Sequence, residues 1–138
     1  MRYQIIFFFS GCVWFLIAGI TGTAVPVFGD RWFTHLIDAV ITGLAVGNLT
    51  KPLLSRCFGT RNWFALPFLS VLLGTAIFGL LLPVSWAIAS LVKGNGMVEG
   101  SAFYQVPLIL IIYSMSIYLP IFYPLALLNN RIIYRFIR

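Results

Sequence analysis

The chain has 138 residues, of which 61% are hydrophobic and only 9% are charged. Soluble globular domains carry about 25% charged residues, so this composition excludes an ordinary soluble domain and predicts a single integral membrane domain. Lys and Arg outnumber Asp and Glu by nine to three. These charges flank apolar runs instead of gathering on a soluble surface, so direct binding of nucleic acid is not expected.

Four apolar runs follow one another along the chain, and each is close to the roughly 20 residues that cross the bilayer core as a helix. They span residues 3–25, 32–49, 63–86 and 103–128. Because the runs are continuous and not alternating, they argue against a membrane β-barrel. The sequence therefore predicts an all-α integral membrane protein with four transmembrane helices in one bundle, followed by a basic tail at residues 129–138.

Basic residues are distributed unevenly between the two sides of this predicted topology. Seven lie on the side that holds both termini and the connection between the second and third runs: Arg2, Lys51, Arg56, Arg61, Arg131, Arg135 and Arg138. The other side has Arg31 and Lys93. Cytoplasmic segments are enriched in Lys and Arg. Both termini are therefore predicted to face the cytoplasm, and the expected location is a bacterial-type inner membrane.

Small residues recur at helical spacing in the second and third runs. The set comprises Ala39, Gly43, Gly47, Ser70, Gly74 and Gly79. Such residues let two membrane helices approach closely, because lipid supplies no hydrophobic drive and packing must hold the helices together. The pattern predicts a helix interface that lies within one bundle, between copies of the chain, or both. The expected partners are accordingly membrane lipid, a second copy of the chain and a cytoplasmic protein.

Polar residues share one face of the second run near its outer half. His35, Asp38 and Thr42 have the spacing i, i+3 and i+7, and Asp38 is the one acid inside a predicted span. An intramembrane carboxylate costs about 2.5 to 3.5 kcal/mol and needs a partner, water or a proton. Two interpretations follow: a proton or cation relay with His35, or a structural Asp held by His35, Arg31 or hydroxyls of another helix. Asn48 is expected to hydrogen-bond between helices or to mark a helix end.

Two prolines, Pro120 and Pro124, interrupt the fourth run near its cytoplasmic end. Proline removes a backbone donor and bends a membrane helix. We therefore expect a kink between Ile117 and Pro124, acting either as a static bend or as a hinge to the basic tail.

The tail carries its arginines on one helical face. Arg131, Arg135 and Arg138 have the spacing i, i+4 and i+7. Anionic headgroups attract each such arginine by about 1 kcal/mol, and a cytoplasmic partner protein can be bound by the same charges. Both contacts remain open for the tail and for the basic residues between the second and third runs.

Signatures of catalysis are missing from the sequence. One histidine and two distant cysteines cannot supply an ordinary zinc site, and no catalytic pair of carboxylates, Gly-rich phosphate loop or G-x-S-x-G motif is present. No metal, cofactor or enzymatic activity is expected.

Three functions are compatible with these features. The first is a non-enzymatic membrane anchor or sensor subunit that oligomerises and engages a cytoplasmic partner, in a bacterial defence, immunity or multi-subunit membrane complex. The second is a small ion or proton channel or transporter with a path past His35, Asp38, Thr42 and Asn48. The third is an accessory subunit of a lipid- or glycan-processing membrane enzyme.

Overall fold

The computed structural model describes residues 2–21, 32–94 and 99–137 of the chain. Its five α-helices are α1 (Arg2–Thr21), α2 (Trp32–Cys57), α3 (Leu66–Lys93), α4 (Ala102–Ser116) and α5 (Leu119–Ile137). A short 3₁₀-helix, Arg61–Ala65, leads directly into α3. Helix is the one type of regular structure in this described part of the chain, which confirms the all-α prediction.

Three helical segments are long and apolar enough to cross a membrane: Tyr3–Ile20, Trp32–Cys57 and Arg61–Lys93. The helices α4 and α5 pass the same test only as a bent pair. The chain therefore has three candidate spans, or four if that pair forms one broken span, where the sequence predicts four. Residues 22–25 of the first predicted run lie outside the described residues.

The second helix is longer than its apolar run. It continues past residue 49 to Cys57, because Thr50 and Leu54 remain buried in these additional turns. Leu54 packs in one cluster with Phe7 of α1 and Ile133 of α5. Burial of this kind stabilises a helix beyond what local propensity supplies.

The fourth predicted run is divided by a sharp bend. The axes of α4 and α5 differ by 89°, and the N–H groups of Ile117 and Tyr118 both donate to the carbonyl of Tyr113, at 2.9 and 3.2 Å. Pro120 follows in the first turn of α5, where its missing N–H cannot continue the hydrogen-bonding ladder of α4. The kink lies in the predicted region, while Pro124 lies inside α5 and not at the bend.

Glycines allow two pairs of helices to touch backbone to backbone. A Cβ atom added to Gly43 of α2 would lie 2.7 Å from the Cα of Gly11 in α1, and one added to Gly79 of α3 would lie 2.6 Å from the Cα of Pro107 in α4. Gly47 receives the ring of Phe7. The small-residue face of α2 is thus occupied by α1 of the same chain.

One end of the bundle carries most of the described basic residues. The start of α1, the α2–α3 connection and the end of α5 meet there around the buried residues Phe7, Leu54, Leu66 and Ile133. We call this surface the basic end, and it carries Lys51, Arg56, Arg61, Arg131 and Arg135.

Residues 129–137, most of the predicted basic tail, form the last turns of α5. The ring of Tyr134 stacks on Phe58 with centroids 3.5 Å apart and planes 7° from parallel. Trp63 of the 3₁₀-helix meets Phe58 edge to face at 4.8 Å. These three rings, which we call the aromatic clasp, fix the end of α5 to the α2–α3 connection.

Candidate functional site

The carboxylate of Asp38 lies in the interior, between α2 and α3. Its residue is 3% exposed, and the hydroxyl of Ser85 lies 2.7 and 2.8 Å from its two oxygens, so this hydroxyl donates a shared hydrogen bond. His35, one turn earlier on α2, is equally buried and interacts electrostatically with the carboxylate. This arrangement couples α2 to α3 in the half of the bundle away from the basic end.

Ser85 is a site residue that sequence reasoning missed. It lies eight residues before the end of α3 at Lys93, and Asp38 lies six residues after the start of α2 at Trp32. Consecutive antiparallel helices bring residues at such positions to a similar depth. That comparison of depth was the available signal, because a single serine in an apolar run has no periodicity of its own.

The two other polar residues predicted for this site, Thr42 and Asn48, have different hydrogen-bond partners. The hydroxyl of Thr42 donates to the backbone carbonyl of Asp38 at 2.7 Å. Asn48 lies toward the basic end, where it exchanges side-chain hydrogen bonds of 3.2 and 3.4 Å with Gln4 of α1. The sequence spacing of these residues is therefore not matched by hydrogen bonds from the Thr42 and Asn48 side chains to the carboxylate of Asp38. Arg31, the other predicted partner of Asp38, lies outside the described residues.

A central cavity of about 130 Å³ lies between the five helices. Its walls include Gly43, Gly74 and the threonines Thr42, Thr50 and Thr75. Each threonine donates its hydroxyl proton to the carbonyl four residues earlier, at 2.7, 2.8 and 2.9 Å. The three threonines therefore satisfy their own donors, and the remaining polar groups of the cavity wall include serine hydroxyls and asparagine amides.

Two adjacent amides of α5 close this cavity toward the basic end. Asn129 donates to the hydroxyl of Ser10 on α1 at 3.0 Å. Asn130 is 2% exposed and exchanges hydrogen bonds of 3.3 and 3.5 Å with Ser70 on α3. Ser70, predicted as a helix-packing residue, thus contacts α5 through hydrogen bonds, while Gly74 faces the cavity with no atom within 4 Å of an added Cβ.

The basic end presents four exposed arginines: Arg56, Arg61, Arg131 and Arg135. Lys51 is partly covered, and its Nζ lies 3.9 Å from the centre of the Tyr3 ring. The acidic residues within the described ranges are Asp38, which is buried, and Glu99, which lies just before α4. Neither belongs to this surface, so its positive charge is not balanced by them. Arg138 and the side chain of Arg2 lie outside the described residues.

Within residues 2–21, 32–94 and 99–137, no three His, Cys, Asp or Glu residues come together as a metal site would require. No protein-family model, curated protein or solved structure matches the chain. The functional proposal therefore rests on the geometry of the chain itself.

Proposed function

We propose that the chain is a non-enzymatic membrane anchor or sensor subunit whose basic end faces the cytoplasm and docks an acidic partner protein. The observation that carries this proposal is the aromatic clasp of Phe58, Trp63 and Tyr134. By holding α5 against the α2–α3 connection, the clasp joins the arginines of two distant segments in one surface.

A fixed basic surface is better suited to protein docking than a loose tail. Ordering side chains and backbone on association costs free energy, and a surface that is already ordered avoids part of that cost. Arginine also binds carboxylates with two parallel hydrogen bonds. The enrichment of Lys and Arg in cytoplasmic segments supports the proposed orientation, and the partner would supply whatever activity a bacterial defence, immunity or other membrane complex requires.

The test is recovery of the partner from native membranes. The tagged chain is extracted in lipid nanodiscs, and bound proteins are identified by mass spectrometry, purified and titrated back. We expect saturable, salt-sensitive binding that falls at least tenfold in the Arg56→Ala/Arg61→Ala variant. The matched control is Lys93→Ala, which removes a positive charge from the last turn of α3, away from the basic end. Equal binding by all three proteins would contradict the proposal.

A second copy of the chain remains a proposed partner. Because Gly43 and Gly47 are occupied by α1, a homo-oligomer would have to form through other surfaces. Mass measurement of the intact particle in nanodiscs at increasing protein-to-lipid ratio distinguishes a monomer from an oligomer.

A small proton or cation transporter is the second candidate function. It is favoured by the proximity of the central cavity to the buried carboxylate: Ala39 and Thr42 line the cavity, and Asp38 lies within one turn of both on α2. On this proposal, Asp38→Asn abolishes proton or cation flux in liposomes while the protein still inserts. Absence of flux in the parent chain would rule the candidate out.

A further inference from the structure

A second depression lies on the outside of the bundle, between α1 and α5. Its volume is about 330 Å³. Its walls are apolar and include Phe9 and Val13 of α1 with Leu128, Ile132 and Phe136 of α5, and each of these side chains is exposed on the surface of the chain. In a membrane-spanning protein such a groove opens toward lipid. We call it the α1–α5 groove.

The groove and the central cavity share a wall. Ser10, Trp14 and Asn129 line both spaces. Across that wall runs one hydrogen bond, from the amide of Asn129 to the hydroxyl of Ser10 at 3.0 Å. A small separation of α1 from α5 at this point would join the two spaces.

The space behind that wall is suited to a narrow apolar group. The cavity of about 130 Å³ approaches the size of cavities of about 150 Å³ that accept one benzene-sized molecule. A partner helix is about 10 Å across with its side chains, so it can cover the groove but cannot continue into the cavity. The end of an alkyl chain can do both.

Two arginines of α5 alternate in sequence with groove residues near the basic end. Arg131 and Arg135 directly precede the groove residues Ile132 and Phe136, and both arginines are exposed. Arg135 lies six residues from Asn129, or about 9 Å along a helix. A headgroup held by the arginines therefore has its chain at the shared wall.

We propose that the α1–α5 groove binds the acyl chain of an anionic membrane lipid, with the headgroup on Arg131 and Arg135 and the chain end reaching the central cavity past Ser10 and Asn129. Arg131 and Arg135 also belong to the basic end, so a bound headgroup would lie beside the surface proposed for docking, and the docking of a partner is tested separately at Arg56 and Arg61. The groove would give the subunit a lipid ligand of its own.

The test uses two probes in nanodiscs of neutral phosphatidylcholine. Phosphatidylglycerol is added as a minor component, and native mass spectrometry measures which lipid remains bound after release from the disc. A phosphatidylglycerol with a photoactivatable diazirine at its chain end then identifies the residues that the chain end reaches. We expect retention of phosphatidylglycerol over phosphatidylcholine, with labels on α1 and on α3 around Gly74.

Two variants test the contact with the lipid headgroup and the contact with the acyl chain separately. Arg131→Gln/Arg135→Gln is expected to lower the preference for phosphatidylglycerol by about thirtyfold, whereas Lys93→Gln, at the far end of α3, leaves it unchanged. Gly74→Leu fills the cavity, so labelling of α3 is lost while lipid is still retained in the groove. Gly100→Leu is its control, because it adds the same side chain outside the membrane helices in open space.

Three results would overturn the proposal. They are no lipid preference in the parent, equal labelling of α3 in Gly74→Leu and the parent, and native mass spectra in which the chain is a dimer without bound lipid. Should the leucine prevent folding, Gly74→Ala takes up part of the cavity and is expected to reduce the labelling of α3 to a smaller extent. Partner binding measured on the same preparations keeps the two proposals distinguishable, because Arg56→Ala/Arg61→Ala is expected to alter that binding and not lipid retention.

Discussion

The hydroxyl of Ser85 on α3 lies within 2.8 Å of both carboxylate oxygens of Asp38 on α2. One donor thus serves two buried acceptors. Removing it leaves the carboxylate with less hydrogen bonding in an environment where unsatisfied polar groups are costly. The stability of the α2–α3 pair therefore depends on the hydrogen bonding of a single carboxylate.

We predict that Ser85→Ala lowers the free energy of unfolding by about 1 to 3 kcal/mol, the usual cost of leaving a buried polar group unsatisfied. Thermal unfolding in nanodiscs measures the change. Ser90→Ala, five residues further along α3, controls for the loss of a hydroxyl. A double-mutant cycle with Asp38→Ala isolates the pair, and additive effects would show that the hydrogen bond contributes nothing specific.

A second prediction concerns the two glycines that the sequence pattern treats alike. A Cβ on Gly43 would lie 2.7 Å from backbone atoms of Gly11, whereas a Cβ on Gly74 meets no atom within 4 Å. Gly43→Ala should therefore separate α1 from α2 and cost about 1 to 3 kcal/mol. Gly74→Ala should be neutral or stabilise by about 0.5 to 1 kcal/mol, because alanine favours a helix interior. If the helix contact is as described, Gly43→Ala must melt at a lower temperature than Gly74→Ala when the two variants are measured under the same conditions.

A third prediction concerns the amides that fasten α5. Asn130→Ala removes the exchange with Ser70, and interhelical hydrogen bonds in membranes contribute about 0.6 kcal/mol on average and up to about 1.7 kcal/mol. We expect faster hydrogen exchange in residues 119–137, with little change in α4. Leu128→Ala, on the exposed face of α5, is the matched control. Unchanged exchange in Asn130→Ala and in the double variant Asn129→Ala/Asn130→Ala would mean that other contacts hold α5, such as the hydrogen bond of 3.0 Å from the Tyr123 hydroxyl to the Phe64 carbonyl.

The sequence was sufficient for the class of fold and for the position of the kink. Continuous apolar runs require helices, and Pro120 explains why the fourth run breaks. It was not sufficient for the direction in which α5 leaves the bend. The hydropathy of residues 119–128 indicates only that this segment avoids water. Packing against other helices satisfies that requirement as well as contact with lipid does.

The contacts of α5 could not be predicted from the sequence for a related reason. Asn129 and Ser10 are 119 residues apart, and nothing in the local pattern pairs one polar residue with another at that distance. The predicted alternatives for Asp38 did include a hydroxyl from another helix, since an intramembrane carboxylate requires a partner. Which hydroxyl it was depended on the relative depth of α2 and α3.

The last prediction tests whether the aromatic clasp orders the docking surface. Tyr134→Ala removes the ring that stacks on Phe58 and leaves every charge of the basic end in place. If docking needs a fixed arrangement of arginines, partner binding should weaken by about tenfold although the net charge is unchanged. The reason is that the free energy needed to order the surface then opposes association. Tyr134→Phe keeps the ring and should bind as the parent does. Equal binding by Tyr134→Ala would show that charge alone attracts the partner, and the aromatic clasp would then serve only the packing of α5.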